Sequence, residues 1–565
     1  MLAGAMRRAL CFFLGLLLCV ANHARSEPRP ADQLSIGVTQ YPSTLNPLID
    51  EMVAKSYVLA MTRRPLTTFD ADWQLVCMLC VRLPSFENGL AEPLDLPGGK
   101  KGVRLTFELQ PGARWGDGVD LTTADVLFSY AVGKDPQSGV ANAELYRRII
   151  RIEAKDAKTF TLDIDKLTFD YAALNDFEIL PAHLERAAFA DPAQYRIRTR
   201  YDTDPTNPGL YYGPYRITEL SPGSHIVLER NPSWWGKPPY FKRIIVWTVE
   251  NTAALEANLL AHGIDMVAGE LGFSLDEALA FEKRHGQEFH VLYKPGLTYE
   301  HVDLDLDNPI LADQRVRQAL LFAIDRQAIT KALFAGRDPV ADSFVPPLDW
   351  VYTDQVARYP FDPGRARALL EAAGWRAQGS EVRRNASGQK LSLELATTAG
   401  NRTRELVEEV LQSQWREVGV EIRLRNQPAR VLFGQSLTRR KFEMAMFAWI
   451  SAPENVPRAM LRSDEIPNAG NGWSGENFPG FRDAEADKLI DDIEIELDRD
   501  KRALLWHRLE ALYAEKLPAL PLYFRADAFV LPPWLEGIRP TGHQYPTTLW
   551  VEDWRAVGRV LGSAR

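Results

Sequence analysis

Few side chains in this sequence are spaced for covalent chemistry. Cys77-Met-Leu-Cys80 has the spacing of a redox pair, half a zinc site or a local disulfide. The other two cysteines, Cys11 and Cys19, lie far from it and form no second pair to complete a zinc site. No strand–CxxC–helix pattern surrounds it. The pair therefore reads as structural, a candidate disulfide or two unpaired thiols, rather than as redox chemistry or metal. The closest histidines, His285 and His290, stand five apart across Gly286, which is poor ligand spacing. Asp491-Asp492 and the Glu494/Glu496 pair read as a solvated helix face. HExxH, GxSxG and GxxxxGK[ST] do not occur. No catalytic residue, no metal and no cofactor is expected.

Aromatic residues are the positive signal. Of the 14 tryptophans, Trp115, Trp234-Trp235, Trp449 and Trp473 fall in Gly/Pro/Asn-rich segments. A tryptophan there can wall a ligand cleft, because it offers a large rigid face and one N–H donor. The plainer alternative is a ring buried beneath a loop.

The elements that must position these residues alternate between helix and strand. Leu34, Ile36 and Val38 alternate in a first strand, and Glu51 to Thr62 reads as a helix. Leu105, Phe107 and Leu109 mark a half-buried strand. Thr122-Thr-Ala-Asp125 opens a helix as a capping box. Asp313 caps a helix with an apolar stripe of Val316, Leu320, Ala323 and Ile324. Asp362-Pro363 starts another helix, and Gly374 ends it. Residues 402–418 form a helix with Leu406, Val410 and Trp415 inward, followed by a strand at Val420, Ile422 and Leu424. Arg499 to Glu515 is helical, Pro518 breaks it, and Leu520, Leu522 and Phe524 form a last strand. Helix–Gly–strand joints of this kind predict α/β lobes with helix-covered sheets. The breaker-rich segment 201–214 is a candidate crossing between lobes.

Arg7 and Arg8 precede an apolar run from Ala9 to Ala21, and Ala24 and Ser26 suit a cut before Glu27. That is a signal peptide, 1–26. The run of about 13 residues is short of the ~20 that a spanning helix needs. Removing it takes Arg7, Arg8 and Arg25 and no acid, which moves the formal charge from −9 to −12. A surface this acidic suits solubility and does not suit nucleic acid. Neither Cys11 nor Cys19 follows the small residue that a lipid-acylated cysteine needs. An unanchored chain would be retained by a periplasm enclosed by two membranes.

Read together, these segments resemble the family 5 extracellular solute-binding proteins, the oligopeptide- and dipeptide-binding group of ABC importers. Tyr41-Pro-Ser-Thr-Leu-Asn-Pro47 is similar to the family's opening. Leu105-Thr-Phe-Glu-Leu-Gln-Pro-Gly-Ala-Arg-Trp-Gly-Asp-Gly118 with Leu121-Thr-Thr-Ala-Asp-Val126 resembles its signature, although Gln110 and Asp120 stand where the family usually carries arginine and often proline. Glu178-Ile-Leu-Pro-Ala-His183, Gly213-Pro-Tyr-Arg216, Glu229-Arg-Asn-Pro-Ser-Trp-Trp235, His262-Gly-Ile-Asp265, the stretch from Asp313 to Arg326, Ala366–Trp375 and Leu517-Pro-Ala-Leu-Pro-Leu-Tyr523 follow in order.

The resemblance implies a type II periplasmic binding protein fold: two α/β lobes joined by a hinge, with three domains. Domain I would comprise 33–67, 206–290 and 523–565, domain II would be the insert 68–205, and domain III would be 291–522. It implies a monomeric periplasmic receptor that closes on a peptide or peptide-like solute and delivers it to permease subunits of an ABC transporter. Glu51 to Val53 matches the loop that pairs with the peptide backbone. Trp449-Ile-Ser451-Ala452 matches the strand end that holds the peptide's amino terminus. Relatives usually place an aspartate where Ala452 stands, and a buried ammonium without a counter-charge costs several kcal/mol. Glu454 is the candidate replacement. Otherwise the solute lacks a free amino terminus or is not a peptide: an opine, a metal chelate, a glycan or a cell-wall fragment. A periplasmic hydrolase is the remaining alternative. Asn455, Trp473 and Asn477 are further expected contacts.

Overall fold

The computed structural model describes residues 32–49, 52–249, 251–377, 382–428, 431–471, 473 and 475–558. The expected signal peptide and Glu51 lie outside them. Among the described residues, no helix is long and apolar enough to cross a membrane.

The backbone of the molecule is a ten-stranded sheet. From one edge its order is Glu421–Gln427, Ser392–Thr398, Met444–Ile450, His290–Leu304, Ala519–Leu531, Met266–Val267, Gln33–Val38, Arg243–Thr248, His225–Arg230 and Tyr215–Ser221. Gln33–Val38 has parallel neighbours on both sides. Parallel strands are covered on both faces, and here Ser35 is buried along with Leu34, Ile36 and Val38. A second, four-stranded antiparallel sheet joins Ala91–Leu96, Lys100–Glu108, Thr159–Ile164 and Ile149–Ala154.

Local signals place the helices. Thr122 and Asp125 form the reciprocal capping box ahead of Thr123–Lys134. Asp313 accepts from the Arg315 N–H at 2.9 Å and starts Gln314–Phe322. Asp362 starts Pro363–Ala372, with Gly374 left-handed (φ 91°) just beyond. The helix Arg402–Glu417 departs from expectation. Its inward face carries Arg404, Val407, Glu408, Leu411 and Trp415, with Leu406 and Val410 only half-buried.

Apolar packing divides into two principal cores. One gathers residues between Leu34 and Leu271 with Phe529 to Trp554. The other runs from Leu275 to Ala526. Segment 201–214 makes no crossing between them. Tyr201, Leu210, Tyr211 and Tyr212 are all buried in the first core, because a run of tyrosines can bury its rings while its hydroxyls reach backbone carbonyls. The crossing is made by His290–Leu304 and Ala519–Leu531, which pair antiparallel along nearly their whole length. His290–Pro295 meets the end beside the first core, while Thr298–Leu304 also pairs with Met444–Ile450 of the second.

Candidate functional site

The ribbon formed by these two long strands is irregular in the middle. Its register shifts between Pro295 and Thr298 and again between Glu300 and His301. At the first irregularity a loop from the first body, 541–547, enters. The Leu297 N–H donates to the Gly542 carbonyl at 2.8 Å. Gly296 admits this approach, since a Cβ there would lie 2.8 Å from that same oxygen. The Ser451 N–H donates to the Leu297 carbonyl, and the Gln544 N–H donates to the Ser451 carbonyl, both at 3.3 Å. The strand end Trp449–Ala452, the bulge and loop 541–547 therefore converge where the two bodies meet.

Ionisable groups surround this convergence. Glu300, 1% exposed, takes a forked pair of bonds from Arg404 (2.6 and 3.2 Å), with Arg525 at 3.6 Å. Burial works to raise its pKa, and the two guanidinium groups outweigh it, so Glu300 stays ionised below the usual glutamate range. Arg404 completes its fork on the Thr398 hydroxyl at 3.0 Å. The acids nearer the first body are not gripped in this way. Asp338 accepts from the Ala526 N–H at 3.0 Å and is pushed up to about 7 by burial. Asp527 is raised to about 7 by desolvation and then by neighbouring Glu270. Glu270 accepts from the Thr547 N–H at 3.0 Å. Its second carboxylate oxygen is enclosed without a partner among the described residues. Two carboxylates held near neutrality by their surroundings favour a cationic group beside them over a second anion.

The residues expected to touch a solute have different fates. Val53 is 38% exposed at the start of the helix Val53–Leu59. Trp449 is half-buried, stacked on Phe478 (5.9 Å between centroids) and edge-on to Phe447. Behind it lies a cavity of about 30 Å³, room for a water. That cavity is lined by the buried His301–Asp303 pair (3.2 Å) and by Tyr299 and Tyr513, whose hydroxyls are 3.0 Å apart. Ala452 is half-buried and Asn455 exposed. Trp473, left-handed at φ 65°, lies beneath the Arg439 guanidinium, 4.7 Å from the ring centroid.

Two expected contacts have partners within the protein itself. Asn477 is fully buried, and its amide bonds the Arg462 carbonyl and both main-chain groups of Phe481 at 2.8 Å. It closes its own loop. Glu454 turns its carboxylate to the Arg502 guanidinium and the Trp350 indole N–H (3.0 Å), while its own N–H donates to Asp349 at 2.7 Å. Burial raises its pKa, against the pull of Arg502. That carboxylate is engaged and leaves no free anion beside Ala452. Likewise Trp115 is a core ring packed against Tyr212. Asp491 and Glu494, expected on a solvated face, are both paired with Arg458.

Cys77 and Cys80 are joined by a disulfide with 5.2 Å between Cα atoms. Gln110, at the departure from the usual arginine, donates to the Cys80 carbonyl at 2.9 Å. Among the described residues no group of three or more His, Cys, Asp or Glu is arranged to hold a metal ion. Sequence reasoning missed loop 541–547, Glu270 and Asp527. The available signal was the breaker run Pro540-Thr-Gly-His-Gln-Tyr-Pro546 beyond the strand Ala519–Leu531.

Comparison with known proteins bears on this architecture. The model for "Bacterial extracellular solute-binding proteins, family 5 Middle" matches residues 90–468. The oligopeptide-binding protein AppA of Bacillus subtilis is 24% identical over 528 residues, covering 92% of this chain and 91% of the relative. The nickel-binding periplasmic protein of Escherichia coli is 20% identical, covering 88% and 91%. The crystal structure of the oligopeptide-binding protein from Thermus thermophilus, complexed with a pentapeptide, superposes with a TM-score of 0.78 at 27% identity, covering 93% of this chain and 96% of that one.

Proposed function

Since the chain belongs to the bacterial extracellular solute-binding proteins of family 5, with their two-lobed periplasmic-binding fold, we propose that it is a periplasmic receptor that captures a peptide and passes it to the permease of an ABC importer. The lobes in this reading are the domain I, II and III segments named above. The ribbon of two long strands is the hinge, and the solute lies against Val53, Trp449, Ser451 and Ala452, with Trp473 as an outer wall.

The observation that carries the reading is the meeting of strand end 449–452 with loop 541–547 across the ribbon, in a fold shared with a pentapeptide complex. Contacts from both bodies to one guest favour the closed form by differential affinity. In this reading the guest is held and handed on unchanged. Extracellular location follows the family, and release into the periplasm follows the reading of residues 1–26.

A non-peptide solute is the second reading, and one observation favours it. Ala452 supplies no charge and Glu454 is engaged by Arg502, so the strand end offers no carboxylate to a peptide's ammonium. The nickel-binding relative is an example of other cargo on a similar chain. Native mass spectrometry of protein purified from its own cells without denaturation decides between them. A ladder of peptide masses is the expected result. A single non-peptide mass establishes the second reading, and conversion of the bound molecule into a product overturns both.

A further inference from the structure

The acid expected to greet the solute is instead part of a contact between the two bodies. Lys166 and Phe169 belong to the turn after strand Thr159–Ile164, which Leu167 anchors to the four-stranded sheet by donating to the Lys101 carbonyl at 2.9 Å. From there the Phe169 N–H donates to the Glu494 carbonyl at 2.9 Å, and Lys166 pairs with the Glu494 carboxylate. Arg458 donates to the same carboxylate oxygen, Nη2 to Oε2 at 2.7 Å. The Phe169 ring packs into an apolar cluster whose other members, among the described residues, all lie between 306 and 519. Arg502 covers its face, with Cζ 4.3 Å from the ring centroid. Arg502 is only 8% exposed and is aimed by Glu454, whose side chain is 12% exposed.

We propose that Glu454 is a positioning residue: it holds Arg502 over Phe169 and so couples the solute-end segment 449–455 to a clasp, Lys166/Phe169 on Glu494/Arg502, that keeps the two bodies shut. The clasp joins the turn at 166–169 to residues 494–502, outside the ribbon strands, so the bodies are fastened at two places. Displacing residues 449–455 by even a small amount moves Glu454, lets Arg502 leave the ring, and weakens the second fastening. A solute that orders 449–455 thereby strengthens the closed state without touching the clasp. This rests on the receptor reading for its purpose but not for its existence.

The test uses the full mature chain carrying fluorophores at cysteines introduced by Lys155→Cys and Ser387→Cys, both exposed positions on opposite bodies. Interlabel distance distributions are measured without solute. Dissociation of a dansyl-labelled pentaalanine probe is then followed by stopped flow. Phe169→Ala, Lys166→Glu and Glu454→Gln are each expected to lengthen the mean distance. Each is also expected to speed probe release on the order of tenfold, with association unchanged, as loss of one cation–π contact or one partly buried ion pair implies. Phe169→Tyr and Lys166→Arg should behave as the wild type. Folded Phe169→Ala and Lys166→Glu proteins with unchanged distances overturn the clasp. A folded Glu454→Gln protein with unchanged distances overturns the coupling, even if Phe169→Ala shifts. If the wild type binds no peptide, the peptide reading fails, and the solute-free distances still decide the clasp.

Discussion

Replacing Arg404 by methionine keeps an unbranched apolar stem and removes the charge that faces Glu300. Glu300 is 1% exposed, and Arg404 grips both its oxygens at 2.6 and 3.2 Å. Stranding a buried carboxylate in this way costs about 3–5 kcal/mol. Arg525 remains at 3.6 Å and offsets part of that, so the expected loss at pH 7 is about 3 kcal/mol. The pH dependence gives the sharper check. In the wild type, Glu300 is held below its ordinary value of 4.5, so its contribution is present above pH 4.5 and fades as pH falls through the lowered folded value. In the variant, burial without Arg404 lifts the folded value above 4.5, so the folded form loses ground as pH rises. The stability difference should therefore be small at pH 4 and widen toward neutrality. Urea titrations of both proteins at pH 4, 5.5 and 7 measure it. A difference that stays constant across this range, or falls below about 1 kcal/mol at pH 7, refutes the charge argument and leaves only a packing change.

Glu510 is fully buried, accepts from the Ser343 hydroxyl at 2.7 Å, and is pushed up to about 8 by burial. An acid whose folded value exceeds its unfolded one costs stability as pH rises between the two, so Glu510→Gln should gain about 3 kcal/mol on the wild type between pH 5 and 8. Equal pH slopes in urea would contradict this. Cys77→Ser with Cys80→Ser should cost about 2 kcal/mol, the closure entropy of so short a loop, while leaving solute affinity intact in isothermal titration. Trp449→Ala should weaken binding of the co-purified solute by about thirtyfold, as loss of an aromatic anchor of about 2 kcal/mol implies. Unchanged affinity in equilibrium dialysis would remove Trp449 from the site.

What the sequence disclosed, and what it hid, divides by range of interaction. The caps at Thr122, Asp313 and Asp362 were legible because donor and acceptor lie within three residues. The α/β class was legible because turns and alternation are local too. The inward face of Arg402–Glu417 was misjudged, since Arg404 is buried only because Glu300 waits 104 residues earlier. Glu454 read as a counter-charge for the solute for the same reason: Arg502 and Trp350 arrive from two distant elements. Asp491 and Glu494 read as solvated because charge alone predicts exposure, and nothing near them in sequence announces Arg458 or Lys166. Asn477 looked like a cleft residue by its aromatic and polar neighbours, yet loops of that composition also need an amide to tie their own backbone.

The strand Ala519–Leu531 holds the large sheet together. Among the described residues it is the sole strand joining Met266–Val267 to His290–Leu304 in the sheet. Without it the other nine strands are two separate rafts, of four and of five strands, each with an unsealed inner edge. Either raft alone presents a row of unpaired main-chain N–H and C=O groups, a template on which a strand of another copy could add.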